Sequence, residues 1–403
     1  MRVLVLDGNQ NQAVASVRSL ARAGHTVLVG DSTSWSKAGW SRFASGTFQY
    51  PAPQRGADPF IARLAEIVRQ QPDTLILPMT EATTLPISEQ RETLIAAGAR
   101  LVLPAHRELL RACNKEETTR LACSLGIKVP TTVTITNSDA AAEAAKTITY
   151  PVVLKPRSSE ELSNKSVKTT GRPRYASNPA EFQNAYDDIS RRSSAVLVQQ
   201  FVDGDGAGYF ALLHRGELRA EFAHRRIRDV YPTGSGSALR ESVKPDPEIR
   251  QAGLAILRAL NWHGAAMVEF RHQPGHPPVF MEVNGRLWHS LPLACYAGVD
   301  FPALLARMAE HGDIEPVVSY REGVRCRWFL GEFRHLVEVW KGAPPGYPRT
   351  YPGKLSTLVA EVRPVSGTLH DNFTLDDPLP ELGDWIYFVQ RLWNGYRGAN
   401  ERC

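Results

Sequence analysis

The chain has 403 residues, 43% of them hydrophobic, enough for two or three domains with real cores, so a disordered chain is excluded. Its 47 lysines and arginines exceed 42 acidic residues by a margin spread along the chain, which speaks against nucleic acid but allows a site that holds an anion. Five cysteines (Cys113, Cys123, Cys295, Cys326, Cys403) show neither CxxC nor Cys/His metal spacing and read as reduced thiols of a cytoplasmic protein.

The N-terminus, MRVLVLDGNQNQ, turns polar too soon for a signal peptide, and no window approaches the roughly 18 to 20 apolar residues that cross a bilayer. Residues 2–6 read as a first strand, and residues 13–23 set Ala13, Val14, Val17, Leu20 and Ala21 on one helical face before Gly24. TVLVG follows as a second strand, completing a βαβ unit that implies a parallel sheet with a right-handed crossover. The alternation repeats through FIARLAEIVRQQ (helix), TLILP (strand), TTLPISEQRETLIAAG (helix) and RLVLP (strand), so residues 1–104 are expected to form a small Rossmann-like doubly wound domain. Asp31 ends the second strand where a ribose-binding acid would sit. Yet the turn DGNQNQA has one glycine where GxGxxG has three, which obstructs close approach to a pyrophosphate. A scaffold without nicotinamide or flavin is therefore expected.

From 105 to about 128 the chain reads as helical, with Asn114 as an N-cap and Glu117 three residues on, as in a capping box. PVVLKP (151–156) is a strand, and residues 157–178 have the polar, basic composition of a loop that is mobile unless an anion orders it. PAEFQNAYDDISRR reads as a helix, AVLVQQFV as a strand, GYFALLH and ELRAEFAHRRI as a hairpin, and DPEIRQAGLAILRALN as a helix capped by Asp246. GAAMVEFRH and PVFMEVNGR then flank the turn QPGHP. In the second of these strands, Val279, Met281 and Val283 should face one way and Phe280, Glu282 and Asn284 the other.

A hairpin closed symmetrically on Gly275-His276 sets Glu282 opposite Glu269. Two carboxylates there repel unless a cation or proton separates them. A Mg²⁺ ion, which takes hard oxygen ligands, resolves the conflict, and Asn284 adds a neutral oxygen on the same face. The alternatives are a solvent-facing hairpin or a bulge that separates the acids. Arg286 would either neutralise a phosphoryl or acyl oxygen or pair with Glu282.

These motifs, in this order, resemble the ATP-grasp superfamily, close to its carbamoyl-phosphate-synthase-like carboxylate-amine ligases, from the N-terminus to about residue 312. Lys115 in CNKEET matches the family's first nucleotide lysine and Lys155 in YPVVLKPR the second, which reaches the phosphates. LVQQFVDGDGAGY resembles the hinge between the grasping lobes: Gln199 meets the adenine amino group, the backbone of Gln200 and Val202 bonds the base edge, and Asp205 falls where a ribose-binding acid often stands. Gln199 replaces the more common Glu, and its amide oxygen still accepts from the amine. Glu269, Glu282 and Asn284 match the magnesium ligands and Arg286 the anion-stabilising arginine. Residues 157–178 match the lid over the phosphates.

The resemblance implies α/β and α+β architecture: a Rossmann-like pre-ATP-grasp domain (1–104), two ATP-grasp lobes (105–195 and 196–312) and a C-terminal extension (313–403). It implies ATP and Mg²⁺ (or Mn²⁺) as cofactors, with small-molecule carboxylate and amine substrates. The reaction implied is ligation through an acyl phosphate with release of ADP and phosphate. A bicarbonate-activating carboxylase shares every motif, although no biotinyl-lysine domain is evident, and an inactive nucleotide-binding regulator is the third reading. In HRRIRDVYPTGSGSALRES (224–242), Arg225 or Arg226 is expected to grip a substrate carboxylate, the alternative being a basic strand edge. His289 either approaches the acceptor or is structural. In the extension, GVRCRWFLGEF reads as a strand. The aromatic, basic end NFTLDDPLPELGDWIYFVQRLW packs on the core, caps the pocket, pairs subunits into a homodimer or touches a membrane surface.

Overall fold

The structure is a computed structural model describing residues 1–163, 166–170, 172–363 and 366–400; Cys403 and residues 164, 165 and 171 of the expected lid lie outside the described residues. The first unit runs β1 (Arg2–Val5), α1 (Asn11–Arg22), β2 (Thr26–Asp31), β3 (Gly46–Gln49), α2 (Ala57–Gln70), β4 (Thr74–Leu77), α3 (Glu81–Glu89), α4 (Arg91–Ala96) and β5 (Ala99–Arg100). Its strands form one parallel sheet in the order β3-β2-β1-β4-β5, the doubly wound arrangement expected. Two details differ. The single helix expected over TTLPISEQRETLIAAG breaks at Gln90 (φ −101°, ψ 31°), downstream of Pro86, whose missing N–H removes a helical hydrogen bond. Of RLVLP only Arg100 is strand, joined with Ala99 in a two-residue edge strand opposite Thr74 and Leu75.

Next come α5 (His106–Cys113), α6 (Lys115–Ser124), β6 (Thr132–Ile135), α7 (Ser138–Thr147), β7 (Val152–Pro156), β8 (Glu160–Ser163), β9 (Ser166–Thr169), β10 (Arg174–Ala176), α8 (Pro179–Ser190) and β11 (Val196–Gln200). The Asn114 side chain caps α6 by accepting from the N–H of Glu116 and Glu117. Glu117 does not complete a capping box: its carboxylate is taken by Arg111 at 2.7 Å. An antiparallel sheet in the order β10-β7-β11-β6 packs on α7 and α8 through Val152, Leu154, Phe182, Ile189 and Val198. The expected lid is more regular than its composition suggested, since β8 and β9 pair as a hairpin and β10 joins the sheet.

The third unit comprises β12 (Asp205–His214), β13 (Glu217–Tyr231), β14 (Ser235–Val243), α9 (Pro247–Ala259), β15 (Gly264–His272), β16 (Val279–Asn284), α10 (Leu291–Ala297) and α11 (Phe301–His311). The chain closes with β17 (Arg325–Arg327), α12 (Phe329–Lys341), α13 (Lys354–Val362), β18 (Leu369–His370) and α14 (Leu379–Asn400). A seven-stranded sheet, β16-β15-β12-β13-β14-β17-β18, is the largest. GVRCRWFLGEF is a strand only at Arg325–Arg327; Phe329 already starts α12. One face of this sheet shares a core with the first unit, where Phe210, Phe222 and Trp288 meet Val14, Val17 and Leu291. The other face packs on α5, α6 and α9 through Tyr209, Phe270, Phe280 and Leu257.

The C-terminal extension is tied to the first unit by buried polar bonds. Lys37 donates to Asp384 at 2.7 Å and to Asn11, while Asp384 also accepts from Trp328 at 2.5 Å and Asn372 at 2.9 Å. Arg18 pairs with Asp377 at 2.8 Å, and Arg240 with Asp371. Packing of the segment NFTLDDPLPELGDWIYFVQRLW on its own chain is thus the observed outcome for its start, Asn372 to Asp384.

Candidate active site

A cavity of about 240 Å³ lies between the two antiparallel sheets, lined by Lys115, Lys155, Gln199, Gln200, Val202, Glu269 and Glu282, together with Tyr175, Arg271 and Met281. β16 forms its floor. Glu282 stands opposite Glu269 across the β15–β16 ladder, as the symmetric hairpin required. A bulge follows immediately, because the next pair is Phe270 with Phe280, leaving Met281 unpaired. The bulge overturns the expected alternation: Phe280 packs in the core with Phe270 and Val283, whereas Met281 lines the cavity beside Glu282.

Each carboxylate is met by a cation. Lys115 Nζ lies 3.3 Å from Glu282 Oε2, and Arg226 donates to Glu269 Oε1 at 3.1 Å. Burial alone would raise the Glu282 carboxyl, but Lys115 and Lys155 outweigh it and hold the group at about 2. Lys155 is shifted the other way: burial brings its ammonium down to about 8, against the attraction of Glu282. Asn284 Oδ1 accepts from Arg286 at 3.3 Å, and Arg286 Nε lies 3.8 Å from Glu81 Oε1. Two carboxyl groups opposite each other with an amide oxygen beside them are a hard-oxygen donor set of the kind that could hold Mg²⁺ or Mn²⁺.

At the other end, Gln199 is buried, gives its Nε2 to Thr132 Oγ1 at 3.1 Å, and leaves Oε1 without a partner. A buried orphan acceptor is costly, and a ligand N–H in the cavity would satisfy it. The Gln200 N–H is committed to Thr131 O at 2.9 Å, which confines its contribution to the carbonyl.

Six of the expected residues lie outside the cavity lining: Asn284, bonded to Glu282, Arg286, bonded in turn to Asn284, and Arg225, Arg226, Asp205 and His289. Arg225 and Arg226 are neighbours on β13 and so point to opposite faces. Arg226 bonds two residues of the cavity lining, Glu269 and Gly234, while Arg225 pairs with Glu241 at 2.7 Å; both border a neighbouring groove with Ile227 and Lys244. Asp205 is at the exposed rim, 3.8 Å from Arg349, outside the cavity lining. The His289 ring packs 4.5 Å from Trp328, its Nδ1 unpartnered, and burial among Arg240, Lys37, Arg334 and Arg286 holds it neutral, well below its ordinary range.

Sequence reading missed Glu81 and Arg271, and it named Ser159 and the Thr233–Ser235 turn only as parts of the lid and of the 224–242 segment. Glu81 had a usable signal: it follows β4 at the carboxyl end of an open parallel sheet, where such folds bind ligands. The others come together only through sheet pairing.

Comparison with known proteins fits this geometry. A family described as ATP-grasp in the biosynthetic pathway with Ter operon matches residues 195–331, and an ATP-grasp domain family matches residues 104–206. Together these two ATP-grasp matches span residues 104–331 of the chain. No curated protein matches it. Among solved structures it is similar to the biotin carboxylase–β,γ-ATP complex of Campylobacter jejuni, at 16% identity and TM-score 0.62, covering 80% of this chain and 74% of that one. The biotin carboxylase domain of Hydrogenobacter thermophilus 2-oxoglutarate carboxylase, with MgADP and bicarbonate, gives 16% and 0.59, covering 80% and 73%. An L-amino acid ligase of Bacillus licheniformis gives 15% and 0.57, covering 78% and 74%. Among the described residues no helix is long and apolar enough to cross a membrane.

Proposed function

We propose that the protein is an ATP-dependent ligase that joins a carboxylate to an amine. At the coarse level, an ATP-dependent ligase, the reading is supported by its ATP-grasp matches and by the fold it shares with carboxylases and an amino acid ligase. The observation that carries it is the paired Glu269 and Glu282 beside Asn284, set under Lys115 and Lys155 in a cleft whose far end offers the orphaned Gln199 oxygen. The domain divisions at residues 104, 195 and 312 are part of the proposal.

In this reading Gln199 accepts from the adenine amine, Gln200 and Val202 meet the base edge by their backbone, and Asp205 serves the ribose from the rim. Lys115 and Lys155 neutralise phosphate oxygens. Glu269, Glu282 and Asn284 would hold Mg²⁺ or Mn²⁺, which when bound neutralises charge on those oxygens. A substrate carboxylate oxygen attacks the γ-phosphorus, the bond to the bridging oxygen of ADP breaks, and an acyl phosphate forms. The amine nitrogen then attacks the acyl carbon and phosphate leaves with the bonding pair. Arg286 stabilises the negative charge that grows on the transferred group and the acyl oxygen. Arg226 orients Glu269, and a carboxylate grip by Arg225 finds no support in its pairing with Glu241.

The test is ADP release from Mg-ATP by purified protein against pooled amino acids, small carboxylates and bicarbonate, with Glu282→Ala alongside. Stimulation by a carboxylate–amine pool, lost in the variant, is expected. Stimulation by bicarbonate alone would replace the ligase by a carboxylase.

A further inference from the structure

The helix α13 is built inside out. Leu355, Leu358, Val359 and Val362, spaced i, i+3, i+4 and i+7, form one stripe, and they are 75%, 38%, 64% and 71% exposed. The side turned to the protein carries Thr357 and Glu361. The orientation is fixed, because Arg228 donates to Ala360 O at 3.1 Å and Arg327 to Glu361 O at 3.4 Å. The stripe continues onto α12 through Trp340, which lies under Lys354 with 5.5 Å between ammonium and ring centroid, and then through Val337, Leu336 and Phe333. Phe333 rests 5.4 Å from Trp385 of α14, whose Leu382, Val389 and Leu392 are more than half exposed. The helices α12 and α13 thus offer solvent an adjoining apolar surface, with the exposed apolar residues of α14 next to it across Phe333 and Trp385.

The charges around this surface decide what covers it. Among the described residues of α12, α13 with its C-cap Arg363, and α14, the exposed ionisable ones are Lys341, Lys354, Arg363 and Arg391, all basic. Glu338, half-buried, is paired with Lys341 at 2.8 Å. Apolar residues and an indole whose exposed charged neighbours on the same helices are basic are what a surface of anionic lipid headgroups complements, with the partly exposed Glu338 taken up by Lys341. We propose that this face of the C-terminal extension docks on an anionic membrane surface, with α13 lying in the interface plane. Its nine residues are too few to cross.

The experiment is flotation of the full chain with vesicles of phosphatidylcholine alone or mixed with phosphatidylglycerol, together with light scattering after size exclusion. Wild type should float with the anionic vesicles only, and less so at high salt. Leu355→Glu combined with Val359→Glu should cut the bound fraction by about tenfold or more. Both side chains already face solvent, so near-UV dichroism and ATP-induced thermal shift should stay as in wild type. Absence of wild-type flotation, or equal flotation with neutral vesicles, overturns the proposal. A wild-type dimer that the double variant splits, without vesicle binding, makes this face an interface between copies instead.

Discussion

Replacing Glu282 by Gln keeps the shape of the side chain and removes its charge. Lys115 Nζ stands 3.3 Å from that carboxylate, which at an effective dielectric of ~20 is an attraction of about 5 kcal/mol before desolvation is counted. Burial opposes the ion, and the balance appears as a carboxyl held at about 2 rather than 4.5, a preference for the charged form of about 3 kcal/mol at ~1.4 kcal/mol per pH unit. Glu282→Gln should therefore lower the unfolding free energy by about 1–3 kcal/mol at pH 7, the amide still accepting one bond from Lys115. The sign follows from a depressed folded-state value: the stabilisation is complete above about 4.5 and is lost as pH falls towards 2, so wild type and variant should converge over that window. Turnover should fall about a hundredfold or more, since a charged oxygen of the metal donor set is gone. Urea unfolding at pH 7 and pH 3, with ADP release titrated against Mg²⁺, reads both effects. Wild-type turnover with an unchanged Mg²⁺ requirement would refute the metal assignment, even if stability fell as calculated.

Lys155 gives a second pH test. With its ammonium at about 8, Mg-ATP affinity measured by calorimetry should be strongest below pH 8 and weaken as pH rises past it, and Lys155→Arg should flatten the profile; a flat wild-type profile between pH 7 and 9.5 contradicts the reading. Gly206→Ala would put a Cβ 2.4 Å from an Arg226 guanidinium nitrogen. The displaced guanidinium leaves Glu269 without its partner, and a rise in KM for Mg-ATP is the expected readout. Lys37→Met strips a cation from Asp384 in a pair whose side chains are 2% and 4% exposed. Unfolding free energy should drop by about 3–5 kcal/mol, and a loss below about 1 kcal/mol would show the ties between the extension and the first unit to be unimportant.

The sequence by itself determined the parts governed by local periodicity and turn chemistry. The βαβ alternation over residues 1–104 and the Asn114 and Asp246 caps were legible because they act over a few residues. The expected Glu269–Glu282 pair, by contrast, is present only because the bulge offsets a turn that closes one residue away from the symmetric register. The tertiary structure decided the rest. The single unpaired Met281 exchanges the faces of the residues before it, and no pattern of apolar residues announces one extra residue in a strand. It gives Arg225 to Glu241 and Arg226 to Glu269, partners that only sheet pairing brings within reach. It leaves Gln199 Oε1 unpartnered, because only the register of β11 against β6 spends the amide nitrogen on Thr132. And it turns the apolar stripe of α13 outward, held there by backbone bonds from Arg228 and Arg327, residues distant in sequence that helical periodicity alone cannot anticipate.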